Sequence, residues 1–173
     1  MKARLWQTLF ILNALITSEI ILAEDAKKDV RDLKEQNIMS VLFQQTAAER
    51  LAGSLQTFRS AKQALDNALA DSSWSALPGQ AVYGKKPAII VDVDETVLDN
   101  TAYEVRMILD GTKYPEGWVS WGKEAAATEV PGAKDFLNYA ASKDVTIFYV
   151  TNRVVELKEA TKKNLTKLGI PWV

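Results

Sequence analysis

The segment Asp92-Val93-Asp94-Glu95-Thr96 places two carboxylates two residues apart, directly after the apolar run Ala88-Ile89-Ile90-Val91. On an extended chain, residues i and i+2 project to one side, and like charges that close repel unless a cation or a shared proton comes between them. Oxygen donors of this kind suit Mg²⁺, which takes few protein ligands and fills its remaining positions with water and phosphate. One carboxylate could attack phosphorus to give an aspartyl-phosphate while the other protonates the leaving oxygen. A calcium loop of the EF-hand type does not fit, because Thr96 and Val97 stand where an acidic or amide residue and a glycine would be needed. Helix capping or a turn accounts for Asp99 and Asn100, ahead of the helical pattern around Tyr103. It does not account for two carboxylates behind a buried strand, which are costly without a role.

A second polar cluster, Thr151-Asn152-Arg153, follows the apolar run from Val145 to Val150. A hydroxyl, an amide and backbone N–H groups ahead of a helix can hold phosphate oxygens, although Thr and Asn also serve as plain helix caps. Composition narrows the chemistry further. The 173 residues include no histidine and no cysteine, which excludes a Ser-His-Asp triad, phosphohistidine, thiol nucleophiles and histidine or thiolate zinc sites. A net charge of -1 without a basic run argues against a nucleic-acid partner.

The elements that must position these clusters follow from pattern. Ala88–Val93 and Val145–Val150 read as strands buried on both faces of a parallel sheet. Helical patterns around Tyr103–Leu109, Trp118–Ala127 and Pro131–Ser142 supply the long crossover that parallel strands require. A last helix over Val155–Leu168 should stop at Gly169, with Pro171 just beyond. The two clusters then fall at the same end of the sheet, where open α/β sheets bind ligands.

Upstream, from about Ala26 to Ala70, Ile38, Val41, Leu42, Ala48, Leu51, Leu55, Phe58, Leu65 and Leu69 recur mostly at helical spacings. They predict one or two amphipathic helices with this stripe packed on the core. Residues 1–23 read as a secretory signal: Lys2 and Arg4, an apolar stretch from Leu5 to Ile16, and cleavage after Ala23. The alternative is an uncleaved interfacial anchor; a membrane span is too short and interrupted. The expected organisation is thus a signal over 1–23, a helical region and linker over 24–86, and a partial catalytic core over 87–173.

The segment Ile90–Asn100 resembles the first motif of the haloacid dehalogenase superfamily, and Phe148–Arg153 resembles the second. Asp94-Glu95-Thr96-Val97-Leu98-Asp99-Asn100, Trp118 with Trp121, Val130-Pro131-Gly132-Ala133, Ala160–Gly169 and Gln44–Glu49 together resemble class C acid phosphatases, the lipoprotein e type. The resemblance implies a Rossmann-like parallel sheet and a Mg²⁺-dependent acid phosphatase acting on small phosphomonoesters, with nucleoside monophosphates among the candidates. It implies that Asp92 is nucleophile and Mg²⁺ ligand. Asp94 would be the general acid and base, its backbone carbonyl on the metal, and Thr151 and Asn152 would contact the phosphoryl group. Tyr103, Trp118 and Trp121 lie where the family builds its substrate pocket, and core packing is the competing reading for each.

Two departures bear on these expectations. No cysteine is present to carry the family's lipid, so a soluble periplasmic or secreted protein is expected. The family's third motif, a Lys on the phosphoryl oxygens, and its fourth, an acidic loop completing the Mg²⁺ site, normally lie beyond Val173. Lys158, Lys162 and Lys163 read as a solvated helix face rather than replacements. A C-terminally truncated, catalytically silent product is therefore the alternative to an active phosphatase, and the oligomeric state is open.

Overall fold

A computed structural model of the chain describes residues 37–81 and 84–172; the expected signal segment lies outside them. The chain divides into two compact units, Met1–Ser40 and Val41–Val173. Of the first, only 37–40 are described, and they are helical. In the second, a helical stretch over 41–46 is followed by α1, Ala48–Ala70. Then come β1 (Ala88–Val91), β2 (Leu98–Asp99), α2 (Thr101–Asp110), α3 (Trp118–Glu124), β3 (Thr128–Glu129), α4 (Ala133–Ser142) and β4 (Thr146–Tyr149). A 3₁₀ turn, Val155–Leu157, leads into α5, Lys158–Leu168.

β1 and β4 pair in parallel, from Ala88 opposite Thr146 to Val91 opposite Tyr149. The intervening helices make the crossover that the sequence pattern predicts, and α5 ends at Gly169 in the left-handed region, φ 71°. β2 and β3 form a small antiparallel pair that two-residue strands leave invisible to any periodicity.

The core gathers Val93, Val97, Leu98, Leu137 and Leu165, all without measurable exposure, with Ile147 and partly buried Ile89 and Val91. Among the described residues, elements cover one face of the parallel sheet. Ile90 is 77% exposed and Phe148 55%, so the expectation of burial on both faces is corrected. A β-branched apolar run says that a strand forms, while alternation sends every second side chain to the face where no described element packs.

The stripe on α1 is also corrected. Its packed positions are Arg50, Ser54, Phe58, Ala61, Leu65 and Ala68, whereas Leu51, Leu55 and Leu69 are exposed. Spacing of three and four survives, but the face is composed of small and polar residues as much as apolar ones. Leu65 packs with Ala140 and Val145, and Phe58 lies 5.8 Å from Phe136, ring centre to ring centre. The Ser54 hydroxyl donates to the carbonyl of Pro131 at 2.7 Å. Arg50 donates to Asp99, so α1 is tied directly to the segment that follows the aspartates.

At the sheet's end, the Tyr149 hydroxyl donates to the carbonyl of Pro171 at 2.7 Å, and its ring stacks on Trp172 at 5.4 Å. Burial raises its pKa to about 12, from 10.0. Because the folded value lies above the unfolded one, the neutral hydroxyl contributes stability that is complete below pH 10 and is lost as pH rises towards 12. Tyr149→Phe should lack this component, so urea midpoints followed from pH 9 to 12 should fall less steeply in the variant. The difference should reach about 1–2 kcal/mol once solvent screening at this half-buried site is allowed for.

Candidate active site

The loop after β1 is built to hold two carboxylates in different surroundings. Val93 offers its carbonyl to two donors, the N–H groups of Val97 at 2.9 Å and Leu98 at 2.8 Å. The side chains of all three residues are sunk in the core, which pins the loop at both ends. Glu95, between them, takes φ 57°, a left-handed conformation that costs a non-glycine residue energy. Its N–H bonds the carbonyl of Leu98 at 2.8 Å, and its carboxylate accepts the N–H of Asn100 at 2.9 Å, at the head of α2. Desolvation raises the pKa of that carboxylate, although the residue as a whole is exposed.

Within this turn the aspartates part company. Asp92 is exposed, and among the described residues its Oδ2 accepts one hydrogen bond, from the Thr96 hydroxyl at 3.0 Å. Asp94 faces inward against Arg153, which donates from Nη2 to Oδ1 at 2.7 Å and from Nε to Oδ1 and Oδ2 at 3.0 and 3.1 Å. The Asn100 side-chain amide adds a bond to Oδ1 at 2.8 Å, and the Thr151 hydroxyl makes a long one to Oδ2 at 3.4 Å. The Arg153 side chain is 3% exposed and that of Asp94 24%. A buried guanidinium needs its charge compensated and its donors used. Its remaining contacts are the Thr161 hydroxyl at 3.0 Å, Asn100 Oδ1 at 3.4 Å and the face of Trp118, 5.4 Å from the ring centre.

Asn100 was expected to cap α2 or serve a turn. Its side chain makes no capping bond; it is 2% exposed and carries Asp94 on its amide nitrogen and the Trp121 indole N–H, at 2.8 Å, on its oxygen. Asp99 does act at the helix start, accepting the N–H of Thr101 at 2.8 Å, while also accepting from Arg50.

The structure therefore brings Asp92, Asp94 and Thr151 to the same end of the sheet, where the N–H of Val150 bonds the carbonyl of Val91 at 2.9 Å. Asn152 is exposed beside them. Tyr103 and Trp121 are buried, at 4% and 3% exposure, and line a cavity of about 220 Å³ together with Arg106, Met107 and Glu124. The Tyr103 hydroxyl donates to the carbonyl of Glu116 at 2.8 Å, and desolvation raises its pKa. The Arg106 guanidinium lies 4.8 Å from the Trp121 ring centre and pairs with Glu124. Trp118 is partly exposed, between Tyr103, Tyr114 and Arg153. Lys158, Lys162 and Lys163 are exposed on α5, as expected of a solvated face. Arg153, Asn100 and Thr96 were not identified as site residues from the sequence. Position alone marked Arg153, directly after Thr151-Asn152, and nothing in the chain indicated that it turns back to Asp94.

Residues 12–172 match the family described as HAD superfamily, subfamily IIIB (acid phosphatase). The chain belongs to that family. Two solved structures of the class C acid phosphatase from Bacillus anthracis, one with tungstate bound, are each 40% identical in sequence, with a TM-score of 0.71. Each alignment covers 80% of this chain, but only 55% and 54% of the respective relative, so the chain spans about half the length of the relatives it matches. The parallel β1–β4 pair with its helical crossover is accordingly part of an HAD-type α/β fold.

A divalent cation fits the donor set in part. Asp92 offers an exposed hard-oxygen carboxylate, which suits Mg²⁺ with most of its water retained. Among the described residues there is no group of three or more acidic, His or Cys side chains that could hold a metal. The carboxylate of Asp94 is already engaged by Arg153 and Asn100. Replacing Asn100 by Ala should leave both the indole N–H of Trp121 and a share of the Asp94 charge unsatisfied. A loss of about 1–3 kcal/mol is expected in urea denaturation, with the helical circular dichroism of the folded state retained.

Proposed function

We propose that the site hydrolyses small phosphomonoesters through an aspartyl-phosphate on Asp92. The observation that carries this reading is the asymmetry of the two aspartates: Asp92 is exposed with one hydroxyl partner, and Asp94 is held by a buried arginine and an amide. An anion with free lone pairs is the nucleophile such chemistry needs. In the first step a carboxylate oxygen of Asp92 bonds to phosphorus as the ester P–O bond breaks, and the departing alkoxide takes a proton delivered by way of Asp94, the general acid and base of this reading. In the second, water attacks the phosphorus, Asp94 takes back a proton, and the acyl-phosphate bond breaks to release phosphate and free Asp92. Thr151 and Asn152 are the groups we assign to the non-bridging phosphoryl oxygens.

Asp92 and the backbone carbonyl of Asp94 would hold Mg²⁺, which when bound neutralises phosphate charge. The acid phosphatase family and the tungstate bound in a relative, an oxyanion of phosphate-like shape, support the reading. Nucleoside monophosphates are a candidate substrate class because partly exposed Trp118 can stack on a base. Tyr103 and Trp121 would then shape the pocket from within the protein. Export to the periplasm or the medium follows from the apolar N-terminal segment; among the described residues no helix is long and apolar enough to cross a membrane. We also propose the organisation expected from sequence, a signal over 1–23 ahead of a helical region and the catalytic core.

That no three acidic, His or Cys side chains cluster among the described residues favours a second reading, in which the chain binds oxyanions without turning them over. Assays of phosphate release from p-nitrophenyl phosphate separate the two. Hydrolysis by the purified chain should stop on chelation and fall by about a thousandfold or more in Asp92→Asn. Absence of release from the wild type, or release indifferent to Asp92→Asn, would dismiss the first reading for this chain.

A further inference from the structure

The geometry points to Arg153 as the positioning residue that divides the work of the two aspartates, by withholding the Asp94 carboxylate from the bound cation. The inference rests on the phosphatase reading for its mechanistic meaning, but its physical content stands on contacts of this chain alone. Asp92 and Asp94 are two residues apart at a strand end, a spacing at which two carboxylates would ordinarily converge on one hard cation. Here the two carboxylates have separate partners, Thr96 for Asp92 and Arg153 with Asn100 for Asp94. Arg153 uses Nε and Nη2 as a fork on Asp94, and Asn100 takes a further lone pair of the same oxygen.

The fork is itself aimed from behind. Thr161 on α5 receives the third guanidinium nitrogen, Nη1, at 3.0 Å, and the Trp118 ring lies against the guanidinium. Thr161 is 4% exposed, so this support is interior and not a solvent-facing accident. Such an arrangement does more than balance charge. A lysine would supply the same charge as a point, without the two-toothed geometry that fixes the carboxylate's plane. With Arg153 in place, one carboxylate is left for the cation and for phosphorus, and the other is held in a fixed plane away from the cation. Without it, the freed Asp94 carboxylate can swing beside Asp92 and become a second cation ligand. Cation binding then strengthens while hydrolysis weakens, a combination that simple loss of structure does not produce.

Mn²⁺, followed by the loss of its free-ion electron paramagnetic resonance signal, is the probe; p-nitrophenyl phosphate hydrolysis is measured in parallel on the same full-length preparations. Arg153→Lys keeps the charge and removes the fork. It should bind Mn²⁺ at least about threefold more tightly than the wild type. If the parent hydrolyses the ester, its kcat should fall about tenfold or more with KM little changed. Adding Asp94→Asn to Arg153→Lys should abolish the tightening, because the second ligand is gone. Thr161→Val, which leaves Arg153 and Asp94 in place and only loosens the fork, should show a smaller change of the same sign; it carries the test should Arg153→Lys fail to fold. Unchanged or weaker Mn²⁺ binding in the folded variants, or tightening that survives Asp94→Asn, would overturn the assignment. A wild-type chain that hydrolyses nothing would count against the phosphatase reading and leave the Mn²⁺ comparison fully decisive for Arg153.

Discussion

A guanidinium sunk to 3% exposure at the end of a parallel sheet sets conditions that its neighbours must meet. It needs an anion, acceptors for its remaining N–H groups and a surface for its plane, and it finds them in Asp94, Thr161, Asn100 and Trp118. These residues come from the loop after β1, from α5, from the head of α2 and from the head of α3. Pairs of this kind contribute little to stability relative to apolar packing, yet removing one partner costs about 3–5 kcal/mol because the other is left charged and buried. The arrangement is therefore better understood as a positioning device than as a source of stability. It holds one carboxylate still and leaves its neighbour free.

The loop shares the work. Its left-handed Glu95 is strained, and strain persists only where surrounding contacts over-determine the backbone. Val93, Val97 and Leu98, buried in the core, supply that constraint, and the Glu95 carboxylate spends itself on the N–H of Asn100. From outside the sheet, α1 contributes through Arg50 on Asp99 and Ser54 on Pro131. A helix that looks like generic packing in sequence is thus linked to the aspartate loop through one ion pair.

The positions of the chemistry were legible because strand ends are marked by abrupt changes of polarity. Apolar runs of four to six residues give way to Asp92 and to Thr151, and the parallel pairing follows from the length of the crossover. Three things were not legible. Alternate burial in β1 and β4 depends on which face the helices cover, and Ile90 and Ile89 are the same residue type with opposite fates. The packed face of α1 includes Arg50, Ser54 and Ala61, which a search for large apolar residues passes over. The direction of Arg153 and the double duty of Asn100 are tertiary facts: the first depends on Asp94 and Asn100, 59 and 53 positions away along the chain, and the second on Asp94 and Trp121, 6 and 21 positions away. A resemblance in motifs could identify the aspartates, but not the contacts that make them unequal.

Asp94 should stay in the arginine fork while the oxyanion meets Asp92, and a crystal structure of the chain soaked in tungstate decides whether it does. Tungstate should lie beside the Asp92 carboxylate and the hydroxyl of Thr151, with the Arg153 hydrogen bonds to Asp94 intact. Tungstate bound by the Arg153 guanidinium, with Asp94 displaced from it, would overturn that arrangement and make the arginine an anion-binding residue instead.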